Sequence, residues 1–210
     1  GFVVNTILKE ADLFCPNSVR INFTIYLMRM EKSYEVTIGV LKRKLPIIPI
    51  SSTVAIASFV LLGDTEMSSY AAAELVKRIT EPFDEIVTME SKGIPLAEEI
   101  SKITHRKSYV VLRKSVKGYM AHPISVPVKS ITTEESQTLV IDGNDVLRLT
   151  DKRILLVDDV ISTGGSLTAA ENLMAKVDAN VVCKCAILAE GTAATRDDIT
   201  FLGSLPVFSI

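Results

Sequence analysis

Ile154-Leu155-Leu156-Val157-Asp158-Asp159-Val160-Ile161-Ser162-Thr163-Gly164-Gly165-Ser166 decides the reading of this chain. Its first four residues are apolar and unbroken, the pattern of a parallel strand buried on both faces. Two carboxylates stand where that strand is expected to end. A loop of Ser, Thr and Gly follows, and a helical pattern begins at Leu167. Ligands of open α/β sheets bind outside the carboxyl ends of the strands. A loop of small residues at that place can turn several backbone N–H groups toward one phosphate. The helix behind it adds the positive end of its dipole. Phosphate alone has no use for two neighbouring acids. Ionised carboxylates are pure acceptors, so the pair suits the vicinal hydroxyls of a ribose 5-phosphate.

The rest of the chain organises around this stretch. Strand patterns, rich in β-branched and aromatic residues, fall at 34–41 and 54–62. Further apolar runs predict strands at 85–89, 109–112, 139–141, 154–157 and 180–188. Helices are expected at 64–79, 95–103 and 167–177, the first opened by Asp64-Thr65-Glu66. Strands alternating with helices predict an α/β fold with a parallel sheet flanked by helices. Residues 1–33 suggest a helix at 3–13 and a turn at Cys15-Pro16-Asn17-Ser18. Between Lys114 and Gln137 the pattern fails, with Gly118, Pro123, Pro127 and scattered Ser, Thr and Lys. A long patternless loop in a small domain is usually functional or mobile.

Composition narrows the class. A chain of 210 residues, 48% hydrophobic and with a net charge of −2, suits one domain with a large core. The near-neutral charge argues against a nucleic-acid-binding protein. Cys15, Cys183 and Cys185 do not make a disulfide framework. Cys183 and Cys185 alternate along a predicted strand and share one face. Reduced thiols fit a cytoplasmic protein. No window offers around 18 uncharged apolar residues, so no membrane span is predicted. The run from Leu45 to Gly63 comes closest and is broken by Pro46, Pro49 and Ser51-Ser52. No basic region followed by an apolar run opens the chain, so no signal peptide is expected.

Four apolar residues, two acids, two spacers and Ser-Thr-Gly-Gly-Ser resemble the 5-phosphoribosyl-1-pyrophosphate (PRPP) motif of the type I phosphoribosyltransferases. An ordinary strand–turn–helix needs neither the paired acids nor the Gly-Gly. The Gly-x-x-x-x-Gly-Lys-Ser/Thr loop of nucleotide hydrolases is absent from the sequence, as is Gly-x-Gly-x-x-Gly. Met89-Glu90-Ser91-Lys92-Gly93-Ile94-Pro95 resembles the pyrophosphate loop of the same family. There the peptide before a Lys or Arg is often cis, which makes Ser91–Lys92 the candidate bond. Arg113-Lys114-Ser115-Val116-Lys117 resembles the start of the mobile catalytic loop of the orotate enzymes, and the adenine enzymes carry a similar basic cluster. The resemblance thus implies a PRPP site of Ser91, Lys92, Gly93, Arg113, Asp158, Asp159, Ser162, Thr163, Gly164, Gly165 and Ser166. Catalytic roles fall to Asp158, Asp159, Lys114 and Lys117. Mg²⁺ is the implied cofactor, carried by PRPP with no direct protein ligands. A homodimer is implied as well.

Base choice rests on thinner matches. Gly39-Val40-Leu41-Lys42-Arg43 is similar to a Gly-Val-Leu-Phe-Arg segment whose backbone meets adenine, with Lys42 replacing the stacking aromatic. Leu205-Pro206-Val207-Phe208-Ser209-Ile210 is similar to the C-terminal Pro-Phe-Phe-Ser-Leu strand of that branch. Glu190 falls near its Val-Glu-Leu segment. These matches imply base contacts at Val40, Leu41, Lys42 and Glu190, and adenine first among the purines. Glu134-Glu135-Ser136-Gln137 instead resembles the loop end of the xanthine enzymes. The implied layout is a single phosphoribosyltransferase domain over 1–210. Residues 1–62 form an N-terminal segment and part of a small hood, 63–190 the PRPP-binding core, and 191–210 the C-terminal part of the hood. The implied activity transfers phosphoribose from PRPP to a nucleobase. The alternatives are a PRPP-sensing regulator of purine metabolism and a xanthine- or other-base enzyme. Some purine repressors place a winged helix ahead of such a domain. Residues 1–33 are short for one and show no strong basic face.

Overall fold

The apolar run at 154–157 lies at the centre of a five-stranded parallel sheet. The computed structural model describes residues 32–90, 92–128 and 137–210. In chain order the strands are β1 (Ser33–Ile38), β2 (Leu41–Pro49), β3 (Val54–Ala57), β4 (Glu85–Met89), β5 (Val110–Leu112), β6 (Ile124–Val128), β7 (Gln137–Ile141), β8 (Arg153–Ile161), β9 (Asn180–Glu190), β10 (Thr200–Leu205) and β11 (Val207–Ser209). The helices are α1 (Thr65–Arg78), α2 (Ile94–Ile103), α3 (Gly143–Leu149) and α4 (Gly165–Lys176), and a 3-10 turn covers Gly191–Thr195.

The parallel sheet runs β10-β9-β8-β4-β5. Ile154 and Leu156 of β8 join one apolar core with Leu167, Leu173 and Met174 of α4. Leu155 and Val157 join a second core with Met67, Ala71 and Leu75 of α1 and Leu96 and Ile100 of α2. Both faces are therefore covered, which is why the run shows no polar alternation. Asp64 starts α1 by accepting a hydrogen bond from Met67 N at 3.0 Å, and Lys77 and Arg78 complement the dipole at its end. A four-stranded antiparallel sheet, β1-β2-β3-β11, joins residues 33–57 to the C-terminal strand. This sheet is termed the hood below, and residues just after β3 border the ends of the parallel strands. β6 and β7 form a separate hairpin, with Val126, Leu139 and Ile141 packed into the first core.

Several expectations need correction. The strand expected at 34–41 stops at Ile38, and the chain turns at Gly39-Val40 into β2. β2 was hidden by Pro46 and Pro49, which sit toward its end, where few ladder bonds depend on their missing N–H. The strand at 54–62 ends at Ala57. Phe59 and Leu61 beyond it are still buried, so their apolar character reports core packing rather than pairing. The loop expected throughout 114–137 contains β6, and the stretch 129–136 lies outside the described residues. β8 does not end before the acid pair but continues through Ile161. α3 was not anticipated. Asp142-Gly143-Asn144 reads as a turn, yet Asp142 accepts from Asn144 N at 2.9 Å and caps a helix. The helix and turn expected within 1–31 also lie outside the described residues. Among those described, no helix is long and apolar enough to cross a membrane.

Candidate active site

Asp158 and Asp159 lie near the C-terminal end of β8, with Val160 and Ile161 between them and the small-residue loop. Adjacent residues of a strand point to opposite sides, and the two acids differ accordingly. Asp158 lines the two cavities at the strand ends. Its Oδ1 accepts a hydrogen bond from Asp159 N at 2.8 Å. Burial, and next the charge of Asp159, push the Asp158 carboxyl well above the usual carboxylate range. Asp159 is 3% exposed rather than open to the cleft. Its Oδ2 is buried without a hydrogen bond, and Lys92 Nζ lies 3.3 Å away as its ion-pair partner. The pair is thus two carboxyls in one desolvated place, one of them with a spare acceptor.

Ser162, Thr163, Gly164, Gly165 and Ser166 wrap a small cavity of about 70 Å³ together with Asp158. Gly164 has φ 79°, a left-handed conformation, and Gly165 opens α4. An L side chain at 164 would be strained there, and its Cβ would come within 2.9 Å of Arg196 Nη1. The turn brings the first N–H groups of α4, which have no helical partner, to the cavity. Helix N–H groups turned into a small cavity suit an anion such as phosphate.

On the neighbouring strand, Gly93 caps α2. A Cβ on Gly93 would meet Thr88 Oγ1 at 2.9 Å and the Cα of Asp158 at 3.0 Å. Glycine there lets the loop after β4 lie against the acid pair. Lys92 reaches out of this loop. Its Nζ donates to the carbonyl of Phe59 at 2.9 Å besides pairing with Asp159, so it ties the hood to the parallel sheet. Ser91, and with it the Ser91–Lys92 peptide, lies outside the described residues.

Arg113 leaves the end of β5 and bonds β7 through Val140, with both backbone bonds at 2.8 Å. Its Nε donates to Glu90 Oε1 at 2.9 Å and its Nη1 to Tyr119 OH at 2.7 Å. Lys114 N donates to Glu90 Oε2 at 2.9 Å, and Lys117 Nζ stands 3.8 Å from the same carboxylate. The Lys114 side chain is exposed. The backbone bond from Lys114, then burial opposing it, and then Arg113 set the Glu90 carboxyl, which ends below its usual range. Glu90 was not singled out from the sequence. The available signal was one acid in the pyrophosphate loop facing three cations at the end of the next strand.

A larger cavity of about 250 Å³ lies beyond the acid pair, between the parallel sheet and the hood. Ser58, Phe59, Lys92, Asp158, Asp159 and Glu190 are among its walls, with Ile56, Val160 and Leu205 as apolar surface. Ser58, Phe59 and Leu205 were not predicted as site residues. They carry no chemistry-bearing pattern and reach the cavity only through the fold. Val40, Leu41 and Lys42 are not in this lining. Val40 lies in the β1–β2 turn and is 79% exposed, and Leu41 and Lys42 open β2, with Lys42 paired to Glu35 at 3.2 Å. Glu190, at the end of β9, does line the cavity.

A phosphate cradle at a helix start, a carboxyl pair at the strand end beside it, and a hooded cavity beyond define a site for a phosphorylated ribose and a second ligand. The model of the phosphoribosyl transferase domain matches residues 67–204, and this chain belongs to that family. A hypoxanthine/guanine phosphoribosyltransferase of Methanococcus voltae is 33% identical over 141 residues, covering 67% of this chain and 71% of the relative. The adenine phosphoribosyltransferase of Thermoanaerobacter pseudethanolicus shares the fold, with TM-score 0.56 and 19% identity over 85% of this chain and 98% of that one. So does the adenine enzyme of Trypanosoma brucei, solved with AMP, pyrophosphate and ribose-5-phosphate, with TM-score 0.53 and 21% identity over 69% of this chain and 67% of that one.

Proposed function

We propose that the protein transfers the 5-phosphoribosyl group of PRPP to a ring nitrogen of a purine. The carrying observation is the Asp158-Asp159 pair beside the left-handed Gly164 loop at the start of α4. In the reaction the base nitrogen bonds to C1 of the ribose while the C1–O bond to pyrophosphate breaks. The ring N–H gives up its proton, and a nucleoside 5′-monophosphate and pyrophosphate leave. Charge at C1 makes the transition state resemble an oxocarbenium ion. The protein then acts by positioning and by electrostatics. The 162–166 loop fixes the 5-phosphate. Asp158 and Asp159 face the 2- and 3-hydroxyls. Arg113, Lys114 and Lys117 stand where departing pyrophosphate needs cations.

The donor set fits Mg²⁺ carried on the substrate. Among the described residues no cluster of three His, Cys, Asp or Glu could cage a metal. The spare buried oxygen of Asp159 and the carboxyl of Asp158 could meet an ion held mainly by PRPP oxygens and water. When bound, the ion would offset charge on the pyrophosphate.

A 6-oxopurine is the base this reading favours. The relative quoted at 33% identity is named a hypoxanthine/guanine phosphoribosyltransferase, and three of the four base contacts expected from the adenine branch, Val40, Leu41 and Lys42, stand outside the cavity lining. Adenine keeps two supports, because Leu205, at the head of the adenine-like C-terminal stretch, and Glu190, near its Val-Glu-Leu segment, both line the cavity. The homodimer is likewise proposed from family resemblance. The test is purified protein with Mg²⁺ and PRPP, offered hypoxanthine, guanine, xanthine, adenine, uracil and orotate separately, with nucleotide read by chromatography. Nucleotide formed from a purine is the expected result. PRPP binding without any nucleotide would favour the regulator and overturn the transferase.

A further inference from the structure

Glu190 is the acid that the proposed mechanism leaves unused. It ends β9, where the parallel register sets it beside Leu205, and it forms part of the cavity wall. Among the described residues its side chain makes no hydrogen bond and no ion pair. The cation closest to it in effect is Lys92, and the Lys92 ammonium is already engaged by Asp159 and the Phe59 carbonyl. Burial pushes the Glu190 carboxyl above its usual range, while Lys92 opposes that shift. A half-buried carboxyl without a partner is costly. The cost falls if the ligand brings donors.

Purines differ in what they bring. A carboxylate offers two parallel acceptors and no donor. Guanine carries N1–H and the 2-amino N–H side by side, two donors on one edge. Hypoxanthine carries N1–H alone. Xanthine sets its O2 against one carboxylate oxygen, acceptor to acceptor. Adenine presents the bare N1 acceptor next to its amino group. We infer that Glu190 reads the N1–H and 2-amino edge of the base, so that the site selects guanine among the 6-oxopurines. This deepens the transferase reading above and rests on it.

Initial rates with Mg-PRPP and each of guanine, hypoxanthine, xanthine and adenine test the assignment, in the unaltered protein and in Glu190→Gln and Glu190→Asp. Unaltered protein is expected to prefer guanine in kcat/KM. In Glu190→Gln the amide keeps one acceptor and turns the other into a donor. Guanine kcat/KM should fall roughly 10- to 100-fold, the scale of one hydrogen bond to a charged group. Hypoxanthine should fall several-fold less. Xanthine should rise, because the new N–H meets its O2. A mere prop for the cavity would lower all four bases together and could not raise xanthine. Glu190→Asp keeps the acceptor pair and should keep guanine ahead of hypoxanthine, which covers the case in which the Gln variant fails to fold. Equal losses for guanine and hypoxanthine, or unaltered protein that uses adenine and rejects guanine, would overturn the inference while leaving the transferase intact. Absence of nucleotide from every base would overturn the transferase reading itself.

Discussion

At the scale of single residues, the acid pair and the glycine pair are the centre of the proposed site, and the structure gives each member its own surroundings. Asp158 faces the cavities and Asp159 is buried against Lys92. Replacing both with Asn should lower kcat/KM for PRPP by about a hundredfold or more, since each charged hydrogen bond is worth on the order of 1.5–3 kcal/mol. Rates with varied PRPP check this, and an unchanged double variant would remove the ribose assignment. The raised carboxyl of Asp158 also makes a stability prediction. In the folded state it holds its proton to higher pH than in the unfolded chain. Stability from this group is therefore full below the ordinary Asp value, near pH 4, and falls as pH rises from there through the raised value. Asp158→Asn removes the titration. Its melting temperature relative to the unaltered protein should climb between about pH 4 and the alkaline side, as scanning calorimetry across that range would show. Of the two glycines, Gly165 opens α4. The left-handed residue is Gly164. Gly164→Ala should cost about 1–2 kcal/mol of stability and raise the apparent KM for PRPP. A chemical melt and a PRPP titration measure the two effects, and a variant with neither would show that the turn does not need glycine.

Among the elements, what was legible was whatever leaves a period or a run. β8 shows as an unbroken apolar stretch because both of its faces are buried. α1 shows as a stripe with an Asp cap. Pairing partners leave no such trace, so β6, half exposed and holding Pro127, read as part of a loop. The acid pair was legible by residue type, but its burial was not, because the end of β8 depends on β9 running beside it to Ala189. The basic cluster after β5 was legible too, and its organiser Glu90 was not, since the contact spans 23 residues. That contact bears on the basic segment after β5, whose start resembles a mobile catalytic loop. Glu90 holds Arg113 and Lys117 in place, so departing pyrophosphate competes with a carboxylate for these cations. Lys114→Ala and Lys117→Ala should lower kcat more than they raise the KM for base, because their charge matters most as pyrophosphate leaves. Hydrogen exchange over 114–128, with and without Mg-PRPP, checks the same element. Equal protection in both states, together with unchanged turnover, would take this segment out of the proposed mechanism.

Over the whole molecule, the site exists because the hood is held at a fixed place over the parallel sheet. Val36, Ile38, Leu45 and Ala57 share the second core with Leu155 and Val157, and two polar contacts add to this packing. Lys92 joins the Phe59 carbonyl to Asp159. Arg43 of β2 binds the start of α1, with Nε to Asp64 Oδ2 at 2.7 Å, Nη2 to Asp64 Oδ1 at 3.0 Å and Nη2 to Glu66 Oε2 at 2.7 Å. The forked geometry gives this contact direction as well as charge. It touches neither the phosphate cradle nor the acid pair, since Arg43 lines a different cavity from theirs. Arg43→Met keeps the stem and removes the fork. Asp64 still caps α1 through Met67 N, so the fold should survive, with a loss of about 1 kcal/mol for a partly exposed pair. In the proposed reading the base takes the cavity between hood and sheet, whereas PRPP takes the cradle on the sheet side. Loosening the hood should therefore raise the KM for base severalfold and leave the KM for PRPP nearly unchanged. Steady-state rates with each substrate varied in turn separate the two. If PRPP affinity fell as far as base affinity, hood and core would have to be one rigid binding unit, and the division of labour between them would be wrong.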